Sequence, residues 1–199
     1  MQGRKKGRAL ALATAMLLLR AGPSAAANAD MVPEFSRTCV ASKSIKDLKA
    51  ALAKDGWKAF ASLAASHLER EISAVTPMLD AQGLSSDYVI YGRDTGGKHL
   101  ELALSETKKP VSGNRKLVGC SMYDFDATSP IASANVSAFA STTVGQKSTV
   151  GDVQAEKWDN VFGEGSGMRT VFVPAASPLR AQLGFTGMML GTHFLDSSN

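Results

Sequence analysis

The stretch "SDYVIYGRDTGGKHLELALSE", residues 86–106, leaves the chain few choices. After the glycines, Leu100, Leu102 and Leu104 alternate with His99, Glu101 and Ala103. That repeat of two belongs to a strand, with one face apolar and the other polar. "DYVIYG" before them is rich in β-branched and aromatic residues, and Gly96-Gly97 makes the pair a hairpin with a Gly-rich connection. A lone hairpin is marginal in water, so it needs further strands or helices to cover it. "RKLVGCSMYDF" reads as a third strand, and "GMRTVFVPA" and "FTGMMLGTHFL" as the last two. "ASPLRAQLG" between those two is a loop or a short helical turn, the polar section 129–151 holds one or two modest helices, and "VQAEKWDNVF" reads as another.

Upstream the period changes. Residues 30–43 read as an extended lead-in. "SIKDLKAALAKDGW" predicts a helix: Ser44 at the N-cap and Asp47 three residues on resemble a capping box. Ile45, Leu48, Ala51 and Leu52 form its apolar stripe, and Asp55-Gly56 the turn that ends it. From Trp57 through Phe60, Ala64, Leu68, Ile72 and Val75 to Leu79 the spacing predicts a second, longer helix, kinked or ended by Pro77. Regular strand–helix alternation, which a parallel sheet needs, is absent. The expected fold is α+β: a mostly antiparallel sheet of about five strands, with the N-terminal helices packed on one face, in a single domain over residues 30–199.

The first 29 residues are different in kind. Arg4, Lys5, Lys6 and Arg8 precede an apolar run from Ala9 to Leu19, Pro23 breaks any helix, and Ala27-Asn28-Ala29 is an A-x-A pattern. This is the layout of a secretory signal peptide of bacterial type, cleaved between Ala29 and Asp30. Eleven apolar residues span roughly half of a ~30 Å hydrocarbon core, too little for a stable membrane span. The segment also explains the charge. It holds five of the 22 Lys and Arg and none of the 18 acids, leaving 17 basic against 18 acidic residues in the remainder. The basic balance therefore implies no nucleic-acid partner, and the short clusters Lys108-Lys109 and Arg115-Lys116 have no interleaved aromatics to stack on bases. The expected location is the periplasm or the medium.

Two cysteines, Cys39 and Cys120, are left to place. A lipidated cysteine would stand at the cleavage site, not ten residues past it. Neither cysteine has a CxxC or histidine neighbour suited to zinc, nor a recognisable base beside it. In an oxidising compartment they pair, closing a loop of 80 intervening residues. In the chain-entropy picture such a closure contributes about 4 kcal/mol.

No motif names a chemistry. His67 and Glu71, four apart on the predicted long helix, can share a side, but the zinc-protease pattern H-E-x-x-H is missing. His99 and Glu101 share a strand face, and His193 lies near the end of the last strand. Convergence of His67, His99 and His193 on a metal is not expected. Asp124 and Asp126 resemble the start of a calcium loop, but Ser129 and Asn135 stand where Gly and Glu are required. "FGEGSGM" is neither a phosphate loop nor a nucleophile elbow, and reads as a connection. The best reading is an exported, non-catalytic binding or interaction protein, its partner an unknown envelope protein or small ligand, with no cofactor and no bound metal. Two alternatives stand: a small envelope hydrolase using His67 or His193 with nearby carboxylates, and an envelope-maintenance or chaperone-like protein. The final strand, with Met188, Met189 and Leu190 in a row, is either an adaptable contact surface or buried on both faces.

Overall fold

The structure, a computed structural model, describes residues 31–42, 44–138, 140 and 145–196. The leader and the cleavage site expected at Ala29–Asp30 lie outside the described residues. No helix among them is long and apolar enough to cross a membrane.

Among the described residues eight antiparallel strands form one sheet: β1 (Lys58–Ala59), β2 (Ser86–Thr95), β3 (Lys98–Thr107), β4 (Leu117–Asp124), β5 (Gln146–Val150), β6 (Val153–Asp159), β7 (Gly167–Val173) and β8 (Gly187–Leu195). Their spatial order is β1-β2-β3-β4-β8-β7-β6-β5. The expected hairpin is β2–β3, turning on Gly96 and Gly97 with φ of 57° and 77°. The last strand pairs back onto β4, which places Cys120 inside the sheet and joins the two hairpin systems.

Among the described residues five α-helices accompany the sheet: α1 (Met31–Phe35), α2 (Ile45–Lys54), α3 (Glu69–Ala81), α4 (Ser133–Ser137) and α5 (Arg180–Leu183). The lead-in is thus helical and not extended: α1 runs on into a π-helical turn, Ser36–Val40. Met31 and Phe35 are buried one helical turn apart, and the carboxylate of Glu34 is held by Trp57 Nε1, Arg37 and Arg93. α2 starts as expected. Ser44 Oγ accepts from the Asp47 N–H at 3.1 Å and donates to Asp47 Oδ2 at 2.8 Å. Leu48 and Leu52 are its fully buried pair.

The predicted long helix is broken in two, for a legible reason. Trp57 packs in the core beneath α1 and α2, whereas Phe60, Leu68 and Ile72 pack in a second core on the opposite face. A continuous helix cannot serve both sides, so the chain crosses the sheet edge as β1, where the Phe60 N–H donates to Ile90 O. A short 3₁₀ turn, Leu63–Ala65, follows, and helix resumes only at Glu69. Pro77 does not end it; Thr76 Oγ1 bonds Ile72 O nearby and the helix runs to Ala81. The N-terminal helices consequently cover both faces and not one.

The count of about five strands is corrected to eight by β1, β5 and β6. "VQAEKWD", read as helix, is β6: Val150–Gly151–Asp152–Val153 turns with Gly151 at φ 61°, and Gln154 to Asp159 pair with β7. Residues of high helix propensity are held extended by strands on both sides. Cys39 and Cys120 form the expected disulfide, with Cα atoms 5.7 Å apart, pinning the π-helical turn to β4. The final strand is buried on both faces, with Met188, Met189 and Leu190 at 1%, 2% and 0% exposure.

Candidate functional site: a groove beneath helix α3

Strand register divides the sheet into two unlike faces. Toward α1 and α2 point Leu100, Leu102 and Leu104 of β3, Val118, Cys120 and Met122 of β4, and Leu190 and Phe194 of β8. The residues between them face α3. In mid-sheet these are Ala103 and Ser105 of β3, Gly119 and Ser121 of β4, and Gly191 of β8. Five small residues in adjoining positions, two of them glycines, leave a gap where the opposite face is filled. A cavity of about 540 Å³ lies there, roofed by Ile72, Val75, Met78 and Leu79 of α3. That volume falls in the ordinary range for small-molecule sites. Met78, at its edge, is 57% exposed.

The cavity has a polar side. Arg169 of β7 and Lys157 of β6 stand opposite each other in register and, with His193 of β8, border it away from β2. Lys157 is paired with Asp159 at 3.1 Å; among the described residues Arg169 makes no ion pair. At the sheet's centre Tyr123 donates its hydroxyl to Glu71 Oε1 at 2.8 Å, and Glu71 Oε2 is buried with no hydrogen-bond partner among the described residues. Burial raises the Glu71 carboxyl to about 7, against the opposing pull of the Tyr123 hydroxyl and the Arg169 charge. The same burial, with Glu71 beside it, pushes Tyr123 well above its ordinary value. His193 sits against Gly167; partial burial and then the Arg169 charge hold its imidazole below the usual histidine range.

A second cluster stands nearer the β2–β3 turn, on the same face. Glu101, fully buried, accepts the His67 N–H on both carboxylate oxygens at 3.2 and 3.1 Å. His67 Nδ1 lies 2.6 Å and His99 Nε2 3.7 Å from Glu101 Oε1, and the other His99 nitrogen bonds Asp94 Oδ1 at 2.7 Å. Gly92, opposite Glu101 on β2, makes room: a Cβ there would sit 2.9 Å from the Phe60 ring and 3.3 Å from His99.

The candidates named from sequence are thus dispersed. His67 and Glu71 do not act on each other: His67 precedes α3 and turns to Glu101, while Glu71, on the helix, turns to Tyr123. His67 and His99 meet, their ring centroids 6.2 Å apart, and His193 lies apart from them in the groove. Asp124 is buried, bonded to Lys98 Nζ at 2.7 Å, and accepts the Asp126 N–H, an Asx turn closing the end of β4; Asp126 is exposed. "FGEGSGM" is a hydrogen-bonded turn in which Ser166 Oγ accepts from Phe162 N–H and donates to Gly163 O. Sequence reasoning missed Arg169 and Tyr123, which carry no local pattern, and the small-residue floor. The floor did leave a trace, since Ala103, Ser105, Gly119, Ser121 and Gly191 all occupy the face opposite the leucines. Compared with protein-family models, curated proteins and solved structures, the chain matches none.

Proposed function

We propose that the protein is an exported binding protein, not a catalyst, whose groove beneath α3 holds a small amphipathic molecule bearing one anionic group. The observation that carries this reading is the floor of five small residues in mid-sheet, which leaves the cavity open where packing would otherwise close it. The apolar part of the ligand lies between that floor and Ile72, Val75 and Leu79. The anionic group meets Arg169, and below about pH 7 the protonated Glu71 carboxyl offers it a hydrogen bond without repelling it. Export is supported by the Cys39–Cys120 disulfide, which suits an oxidising compartment.

A dansyl-labelled undecanoic acid serves as the probe. Its fluorescence should rise on binding at one site per chain; Ser105→Leu, which fills the floor, should abolish that signal while circular dichroism stays unchanged. Arg169→Glu should weaken binding at least tenfold and Arg169→Lys by less. Undiminished binding to a folded Ser105→Leu variant overturns the reading. Mass spectrometry of protein from the cell envelope checks export: the chain should begin at Asp30.

A further inference from the structure

From the cluster at the other end of this face we infer a second site: His67, His99 and Glu101 form a three-ligand centre for a divalent transition metal, zinc being the best fit. Its coordination sphere is open toward solvent. The inference stands independently of the groove. His67 Nδ1, His99 Nε2 and a Glu101 oxygen lie within 4.8 Å of one another. Two imidazoles and one carboxylate are a donor set that zinc takes when it keeps a position for water or a further ligand.

The surroundings have the form that metal ligands require. Glu101 is 0% exposed, and among the described residues its carboxylate has histidines for partners and no lysine or arginine. Burying an anion without a cation is costly, and a metal ion supplies that cation. The two His67 N–H bonds orient the carboxylate. Asp94 fixes the second imidazole: its bond to His99 Nδ1 keeps a proton there and turns a lone pair on Nε2 toward Glu101. Carboxylate–histidine pairs of this kind orient and strengthen metal-binding imidazoles. Ligand atoms bound at about 2.0–2.1 Å in a tetrahedron stand roughly 3.3 Å apart. The 3.7 Å between His99 Nε2 and Glu101 Oε1 is near that figure, and the 2.6 Å at His67 requires that ring to withdraw by less than an ångström. His67 has room to do so, since its side chain is 70% exposed on the turn before α3. The exposed side of His67 is where the open coordination position faces.

The test is a titration of the full chain, treated with chelator and dialysed, using zinc by calorimetry and cobalt by visible absorption. One ion per chain at micromolar affinity or better, with cobalt bands of four- or five-coordinate intensity, is the expected result. His67→Ala and His99→Ala, both at exposed side chains, should each lower affinity at least a hundredfold while circular dichroism is unchanged. Asp94→Asn, which touches no metal, should cost ten- to a hundredfold. The dansyl probe should still bind His99→Ala, so failure here leaves the groove reading intact. No binding at 100 µM zinc, or binding that both histidine variants retain, overturns the proposal.

Discussion

The two faces of the sheet share the same strands and each carries a core, but they differ in mid-sheet. On the face under α1 and α2, Leu100, Leu102, Leu104, Met122, Trp158, Met168 and Leu190 pack to between 0% and 1% exposure, with the disulfide fastening the cover. On the face under α3, one residue along each strand, the same region is Ala103, Ser105, Gly119, Ser121 and Gly191, and a cavity remains. A strand alternates its faces, so the chain sets stability and recognition one residue apart without either pattern disturbing the other. Both faces carry a core, but tolerance should be confined to the small-residue floor of the second face, beneath α3.

The sharpest way to break this comparison is to loosen the covered face. Replacing Cys39 and Cys120 together by Ala should cost about 4 kcal/mol of unfolding free energy, since an 81-residue separation is no longer held in the unfolded chain. Urea denaturation reads the shift; a loss below about 1 kcal/mol would mean that the α1 cover is held by packing alone. Next in size, Leu104→Ala removes a side chain at 1% exposure from that core and should cost about 3 kcal/mol, most of it cavity and transfer terms.

The contrast between faces was half legible in the sequence. The leucines of β3 announced a covered face, and the capping residues Ser44 and Asp47 and the Gly96-Gly97 turn fixed their elements from local chemistry alone. The failures came where tertiary contacts override local preference. Trp57 to Leu79 keep helical spacing, but the chain crosses the sheet edge between Trp57 and Phe60, an event no periodicity records. "VQAEKWD" has helix-forming residues, yet the "STVGDVQ" before and within it carries a Gly-Asp hairpin signal that outranks propensity. The site was less legible still. Glu101 and His67 lie 34 residues apart, and Glu71 and Tyr123 lie 52 apart; only the docking of α3 and the turn before it onto the sheet brings each pair together.

The groove makes its own demand on stability, opposite in sign to the core's. Glu71 has a carboxyl raised from about 4.5 to about 7. Below pH 4.5 it is protonated in folded and unfolded chains alike and has no effect. Between 4.5 and 7 the unfolded chain ionises while the folded one does not, so stability falls as pH rises; above 7 the full loss persists. At about 1.4 kcal/mol per pKa unit, and allowing for partial solvation of the groove, the loss is about 2 kcal/mol. Glu71→Gln keeps a donor and acceptor beside Tyr123 and should be more stable than the parent by about that amount at pH 7.5, yet equal to it at pH 4. Thermal unfolding across this range checks both ends. Equal slopes for parent and variant would place Glu71 in water and remove the polar half of the groove argument.

The smallest expected effect is the most pointed. Ser105 follows Leu104 directly and looks into the cavity, where its Oγ approaches Gly119. Ser105→Ala deletes one oxygen beside space that is already open, so it creates no new void and strands no tightly packed neighbour. The unfolding free energy should change by less than about 0.5 kcal/mol, the range of substitutions away from packed features. Set beside about 3 kcal/mol for Leu104→Ala, this pair of adjacent residues measures the difference between the faces on one strand, with the same register, the same neighbours in sequence and the same reference state. If Ser105→Ala proved as costly as Leu104→Ala, the floor beneath α3 would be a packed part of the second core whose serine hydroxyls are structural, and it would lose its claim to a ligand.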